Sequence, residues 1–103
     1  MFRYLVINQY FDDTVFVSTI RGFDTGRYET AIQHPDYNDG DIIIVASGYE
    51  SMEAAEEGHN KWVEIMTSDI LPESIPEMSD SGIAILGKIT GAIPMEHERK
   101  KSE

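Results

Sequence analysis

The chain has 103 residues, which is enough for one hydrophobic core and too few for two, so we expect a single domain. Its 19 Asp and Glu residues against eight Lys and Arg residues give a formal net charge of −11 at pH 7. This charge disfavours direct binding to nucleic acid, because it repels phosphate backbones, and it favours a protein partner with a basic surface. The absence of cysteine excludes disulfides, thiolate zinc sites and a cysteine nucleophile.

The first residues do not have the pattern of a targeting segment. The apolar run near the N-terminus is too short, and too quickly followed by Asn8 and Gln9, to be a signal peptide. No later stretch approaches the length of a transmembrane helix. We therefore expect a cytoplasmic protein without membrane contact.

The first half of the chain has the pattern of consecutive β-strands. Residues 4–11 and 14–21 are rich in β-branched and aromatic side chains, and the Asp12-Asp13 pair between them suits a tight hairpin turn. A glycine-bounded break at residues 22–26 precedes a third strand over residues 27–33, in which alternate side chains fall on one side. Antiparallel pairing is the most local arrangement of these strands.

A turn and a fourth strand follow. Residues 34–40 are dense in turn formers, and residues 41–46 carry an unbroken apolar run that suits a central strand buried on both faces. Four strands in succession predict an antiparallel meander. The Asp and Asn residues of the turn also offer oxygen ligands of the kind that calcium prefers, but their register does not fit an EF-hand loop. We interpret them as turn formers.

One amphipathic helix is predicted between an N-cap at Ser51 and about Thr67. One side of this helix is apolar and should face the sheet. The opposite side carries four acidic residues and one basic residue: Glu53, Glu56, Glu57, Lys61 and Glu64. The predicted fold class is therefore α+β, with a four- or five-stranded antiparallel meander sheet and one helix packed on one face.

The Gly58-His59 pair interrupts this helix where stronger helix formers would be expected. Gly58 would let the helix backbone approach the sheet closely, although glycine costs about 1 kcal/mol relative to alanine in a helix. His59 would reach the rim of that contact and hydrogen-bond a backbone or carboxylate group. The residues predicted to form the helix–sheet contact are Ala55, Gly58, His59 and Trp62.

The last third of the chain has weaker patterns. We expect a sheet-plus-helix core in residues 1–70, a connecting arm in residues 71–95 and a flexible tail in residues 96–103, all within one domain. Within the arm, residues 82–89 could form a fifth strand or an oligomer contact. A homodimer would then use an edge strand or residues 82–93.

Two stretches approach known site motifs without completing them. Residues 82–90 come close to the phosphate-binding pattern G-x-x-x-x-G-K-[ST], but Ile89 occupies the hydroxyl position. The Glu56-x-x-His59 spacing occurs in dinuclear metal sites of helical bundles, but those sites need a second copy and further Glu ligands. We therefore predict no metal, no cofactor and no catalytic residue.

Two runs in the middle of the chain resemble a group of small uncharacterised bacteriophage and prophage proteins. YETAI at residues 28–32 matches a strand of the form [FY]-E-T-[AM]-[IV], and SMEAAEEGH at residues 51–59 matches a helix start of the form [ST]-x-E-E-A-x-x-G-H. Ala54 stands where that pattern has its second Glu, and the similarity covers residues 15–62. The resemblance implies a phage origin and a host-cytoplasmic location, and it implies no activity.

These features together predict a phage-encoded acidic interaction protein that inhibits a host nucleic-acid-handling or defence protein through its acidic surface. One alternative is a minor virion or assembly protein that self-associates, and another is a small ligand-binding protein or enzyme that uses His59. The predicted partner-binding residues are Glu53, Glu56, Glu57, Glu64, Asp36, Asp39 and Asp41.

Overall fold

The computed structural model describes residues 4–22 and 26–100, with residues 4–7 and Gly22 described by their backbone alone. Four strands form one antiparallel sheet, and each strand pairs with the next along the chain. They are β1 (Tyr4–Phe11), β2 (Phe16–Gly22), β3 (Tyr28–Gln33) and β4 (Ile43–Tyr49). The predicted antiparallel meander is confirmed with four strands. Part of the break expected at residues 22–26 lies outside the described residues.

Helix α1 (Met52–Thr67) packs on one face of this sheet and contacts all four strands, as predicted. It begins at Ser51, whose Oγ accepts a hydrogen bond from the backbone N–H of Ala54 at 3.1 Å. Such a cap satisfies one of the N–H groups that a helix start leaves without an internal partner. The core between helix and sheet consists of Val15, Val17, Ile32, Tyr37, Ile43, Val45, Trp62 and Met66, with Ile75 from the C-terminal third.

The turn between β1 and β2 depends on the Asp12 side chain. Asp12 Oδ1 accepts hydrogen bonds from the backbone N–H groups of Thr14 at 2.9 Å and Val15 at 2.8 Å. These two bonds hold the pKa of the Asp12 carboxyl below its ordinary value, because they favour the ionised form. The Asp12 carboxylate thus pairs with two backbone N–H groups of the turn, which the Asp12-Asp13 pair predicted.

The connection between β3 and β4 contains a single 3-10 turn at Asn38–Gly40. Asn38 and Asp39 have φ angles of 51° and 53°, in the left-handed region that Asn and Asp tolerate better than most residues. Tyr37 immediately before the turn is fully buried, and its hydroxyl donates to the carbonyl oxygen of Pro72 at 2.5 Å. The connection is therefore anchored to the core by its tyrosine.

Strand β4 is an outer strand of the sheet, whereas the apolar run at residues 41–46 was expected to form a central one. Its side chains alternate, with Ile43 and Val45 buried and Ile44 half-buried. The arm after α1 lies along the free side of this strand, where Met78 N donates to Ile44 O at 2.7 Å. Because the arm covers this side of β4, the strand can be as apolar as an inner strand.

Residues 82–89 belong to a second helix, α2 (Gly82–Thr90), so the predicted fifth strand is wrong. Ser81 Oγ accepts from the N–H of Ala84 at 3.1 Å, and Gly91 ends the helix with a φ of 81°. These two caps outweigh the strand preference of three isoleucines within nine residues. No helix in the described part of the chain is long and apolar enough to cross a membrane.

The residues from 96 onward also differ from the prediction of a flexible tail. Strand β6 (Glu96–Glu98) pairs antiparallel with β5 (Ser74–Pro76), which lies in the arm. His97 is buried on β6, and its Nε2 donates to Glu77 Oε1 at 2.8 Å. The last three residues of the predicted tail, 101–103, lie outside the described residues. The described part of the tail is docked because His97 brings a buried hydrogen-bond partner for Glu77.

Glu77 is held ionised in this pair. Burial alone would raise the pKa of its carboxyl, but hydrogen bonds from Ser79 and His97 outweigh burial and lower the pKa below its ordinary value. Ser79 Oγ donates to Glu77 Oε2 at 2.6 Å, so both carboxylate oxygens have a partner. The pair joins the arm to β6.

We expect Glu77→Gln to lower the free energy of unfolding at pH 7 by about 2 kcal/mol, because it removes one partner of a buried charged hydrogen bond. Denaturant titration measures this loss, and amide exchange should quicken in residues 96–100.

A carboxyl with a lowered folded pKa contributes stability above its ordinary pKa of about 4.5. That contribution disappears as the pH falls through the folded pKa, so variant and wild type should converge in acid. Glu98→Gln, an exposed change on β6 next to His97, should leave both measurements unchanged.

Candidate functional site

The α1 acidic face, which we define as Glu53, Glu56, Glu57 and Glu64, is a strip of exposed carboxylates on the solvent side of α1. At 100° per residue, Glu53, Glu57 and Glu64 fall within about 40° of one another, and Glu56 lies about 60° to one side. With a rise of 1.5 Å per residue, the strip is about 16 Å long. Three negative charges thus share one line on a rigid element, and the fourth lies beside it.

The direction of this face follows from the residues buried on the other side of α1. Ala55, His59, Trp62 and Met66 are the buried residues of the helix, and they recur every three or four positions. This stripe is centred about 180° from the line of acids. Because the buried stripe is packed into the core, the acidic face must point outward. Lys61, the single lysine or arginine on α1, is also exposed and lies about 40° from Glu57, so it borders the acidic face.

The predicted turn acids form a separate group in the β3–β4 connection. Asp39 and Asp41 are exposed, whereas Asp36 is half-buried. Asp36 and Asp39 line a cleft of about 640 Å³ together with Arg99 and Lys100. Glu96 and Glu98 line the same cleft, so four carboxylates and two cations share it. The turn acids thus lie on a different element from the α1 acidic face, and Asp36 is the least exposed of the seven predicted contact residues.

His59 lies inside the fold, at one end of a chain of hydroxyl groups. Its Nδ1 is 2.9 Å from Thr19 Oγ1 on β2, which is 2.7 Å from Thr30 Oγ1 on β3. Thr30 Oγ1 is in turn 3.2 Å from the hydroxyl of Tyr49 on β4. This hydroxyl chain, His59–Thr19–Thr30–Tyr49, connects α1 to three strands of the sheet.

The position of His59 corrects the expectation that it lies at the rim of the helix–sheet contact. The residue is 2% exposed, and the partner of its Nδ1 is a hydroxyl group rather than a backbone or carboxylate group. Burial lowers the pKa of its imidazole, because the charged form loses hydration that the hydroxyl does not replace. The neutral ring is a buried polar group whose Nδ1 is paired with Thr19.

Gly58 leaves room for the side chain of Tyr49. A Cβ placed on Gly58 would collide with the Tyr49 hydroxyl and with its ring. The close approach expected at this glycine therefore exists, and the group that approaches is a side chain at the end of β4. Tyr49 is also the last group of the hydroxyl chain that begins at His59. Gly58 and His59 therefore both contact this chain, Gly58 at its Tyr49 end and His59 at its Thr19 end.

No three His, Asp or Glu side chains within residues 4–22 and 26–100 are grouped so that they could hold a metal ion. Comparisons with protein-family models, with curated proteins and with solved structures found no match to this chain. The site is therefore defined by the geometry and charge of its own residues.

Sequence patterns did not identify Thr19 and Thr30 as partners of His59. Both residues are fully buried, and they lie directly opposite each other in the pairing of β2 with β3. A signal was present, because Val17 and Thr19 alternate on β2, just after Val15, while Thr30 and Ile32 alternate on β3. A threonine in each apolar stripe indicates a buried polar pair that needs hydrogen-bond partners.

We expect Gly58→Ala to destabilise the protein, because the new methyl group displaces Tyr49 and breaks its contact with Thr30. The same substitution in a Tyr49→Ala background should instead stabilise by about 0.5–1 kcal/mol, since alanine has the better helix propensity and nothing remains to collide with it. Denaturant titration of the four proteins measures this reversal of sign. Equal effects in both backgrounds would contradict the proposed collision.

We also expect the free energy of unfolding to decrease as the pH is lowered, because of the buried His59. A histidine with a lowered folded pKa destabilises the fold once the pH drops below its unfolded value of about 6.5, because the unfolded chain then binds more protons. The limit for one such group is about 1.4 kcal/mol per pH unit. Comparing unfolding free energies at several pH values should show a shallower slope for His59→Gln than for wild type. Asn60→Gln, an exposed change on the next residue, should keep the wild-type slope.

Proposed function

We propose that this protein is a phage-encoded inhibitor that acts in the host cytoplasm by placing the α1 acidic face on a basic surface of a host protein. The observation that carries the proposal is the alignment of exposed carboxylates along one helix whose opposite face is locked in the core. The net charge of −11 adds a long-range field that attracts basic proteins and repels nucleic acid.

The spacing of the α1 acidic face suits a surface built to bind phosphates. Glu53 and Glu57 are about 6 Å apart along the helix axis, and Glu64 follows about 10 Å further on. A host protein that handles nucleic acid presents rows of Lys and Arg toward a phosphate backbone. A rigid row of carboxylates can occupy such a groove without ordering a loop, which lowers the entropic cost of binding.

The turn acids have a secondary role in this proposal. Asp39 and Asp41 are exposed and add to the long-range attraction of a basic partner at low ionic strength. Asp36 is half-buried beside a cleft that also contains Arg99 and Lys100, so it is a weaker contact residue than the acids of α1.

The alternative that uses His59 for ligand binding or catalysis has less support. Its imidazole is 2% exposed, and Nδ1 already has a partner in Thr19. A ligand would have to separate α1 from the sheet to reach that nitrogen. The exposed carboxylates of α1 need no such rearrangement.

The test is affinity capture from host cells with a tagged protein, followed by identification of what is retained. We expect a basic host protein to be retained at about 50 mM salt and largely lost at about 300 mM, because exposed charges are screened over a shorter distance. The variant Glu53→Gln/Glu57→Gln/Glu64→Gln should reduce retention at low salt by about tenfold or more, the scale of a 1.4 kcal/mol loss.

A matched control removes the same charge elsewhere. Asp13→Asn/Glu50→Gln/Glu73→Gln also changes three exposed acids, which lie on three separate segments. If this control reduces retention as strongly as the α1 variant does, total charge is responsible and the α1 acidic face is not the site. Capture of no host protein, or retention that is indifferent to salt, would refute the proposal.

A further inference from the structure

The polar and apolar faces of helix α2 are reversed with respect to those of an ordinary surface helix. Its large aliphatic side chains are exposed, with Ile83 at 85%, Leu86 at 61%, Ile89 at 77% and Ile85 at 47%. The inner side carries Ala84, which is buried, and Lys88, whose Nζ donates to the carbonyl oxygen of Ser79 at 2.7 Å. The helix thus turns its cation inward and its hydrophobic residues outward, which is the arrangement of an interaction surface.

The attachment of α2 to the rest of the chain is local. Besides the bond from Lys88, Ile93 packs against Gly87, and Ile93 N donates to Gly87 O at 3.0 Å. A helix of nine residues is shorter than the length at which isolated helices become stable in water. Its exposed face therefore lacks the packing that normally stabilises a helix of this size.

The surroundings of α2 differ in charge from the remainder of the molecule. Residues 81–95 contain none of the chain's 19 Asp and Glu residues. Two copies of a protein with a net charge of −11 repel each other when their acidic faces approach. Contact through α2 brings together two segments that carry no carboxylates of their own, with Asp80 before the segment paired to Arg27, so repulsion is smaller there than between two α1 acidic faces.

We propose that the exposed face of α2, defined as Ile83, Ile85, Leu86 and Ile89, is a dimer contact that packs on the same face of a second copy. At 100° per residue the four side chains span about 160° of the helix, and Leu86 and Ile89 are central. The patch has an area on the order of 500 Å², and two patches together bury about 1,000 Å², the lower end for a specific interface.

A twofold axis fits this patch. In an isologous contact each residue meets the same surface on the partner, so a single apolar patch is complementary to itself. Leu86 and Ile89 lie closest to the axis, and Ile83 and Ile85 flank them. The contact involves no residue of the α1 acidic face, so dimerisation leaves that face free for another protein.

The first test is the molecular mass in solution as a function of concentration, by light scattering or sedimentation. We expect the mass to rise from 11.6 kDa toward twice that value between about 1 and about 100 µM, the range for an interface of this size. Ile83→Gln should shift the midpoint to at least tenfold higher concentration. Ile70→Gln is its matched control, because Ile70 is also 85% exposed and lies outside α2. This control should leave the midpoint unchanged.

The second test uses the absence of cysteine from the chain. Leu86→Cys places the one thiol near the proposed axis, where two copies should oxidise to a covalent dimer within minutes of adding a mild oxidant. Ile70→Cys should react much more slowly at the same concentration. Circular dichroism of both variants checks that neither has lost its fold.

Three results would overturn the proposal. One is a protein that stays monomeric at about 100 µM. Another is self-association that Ile83→Gln and Leu86→Gln/Ile89→Gln leave unchanged, which would point to pairing through an outer strand of the sheet. The third is tight binding of monomers to neutral lipid vesicles that the α2 variants abolish, which would assign the face to a bilayer. None of these results bears on the α1 acidic face.

Discussion

The packing of α1 against the four-stranded sheet is the interaction on which the other features of this protein depend. Trp62 and Met66 supply apolar contact from the helix to a core built by Val17, Ile32 and Val45. Beside this apolar core, His59 is hydrogen-bonded to Thr19, which is hydrogen-bonded to Thr30. The same interface therefore also contains directional hydrogen bonds. Apolar burial supplies stability, and buried hydrogen bonds select one register and rotation of the helix.

That rotation determines which side of α1 meets water. If the helix turned by half a turn, the carboxylates of Glu53, Glu57 and Glu64 would face the core, at a large cost in desolvation. The buried stripe and the acidic strip are therefore two consequences of one packing arrangement. A surface made in this way is as rigid as the core that supports it, so it would need no ordering to bind another protein.

The C-terminal third is joined to the sheet by polar contacts. Asp80 pairs with Arg27 before β3 and accepts from Ser47 Oγ on β4 at 3.2 Å. The Glu77–His97 pair fastens β6 to the arm, and Met78 donates to the outer side of β4. Exposed ion pairs contribute little stability, so the buried pair and Ile75 in the core carry most of this attachment. From this docked segment, α2 presents its aliphatic face outward.

The sequence by itself determined the meander, the position and two faces of α1, and the overall charge, because these depend on alternation, periodicity and capping among neighbouring residues. Only the tertiary structure decided the partner of His59, which lies 40 residues away in Thr19, and the docking of His97 by Glu77, 20 residues earlier. The Ile-rich run at residues 82–89 was ambiguous, because β-branched residues favour a strand while Ser81 and Gly91 cap a helix. Its outward-facing side chains depend on which surface the rest of the chain leaves beside it, and no local pattern contains that information.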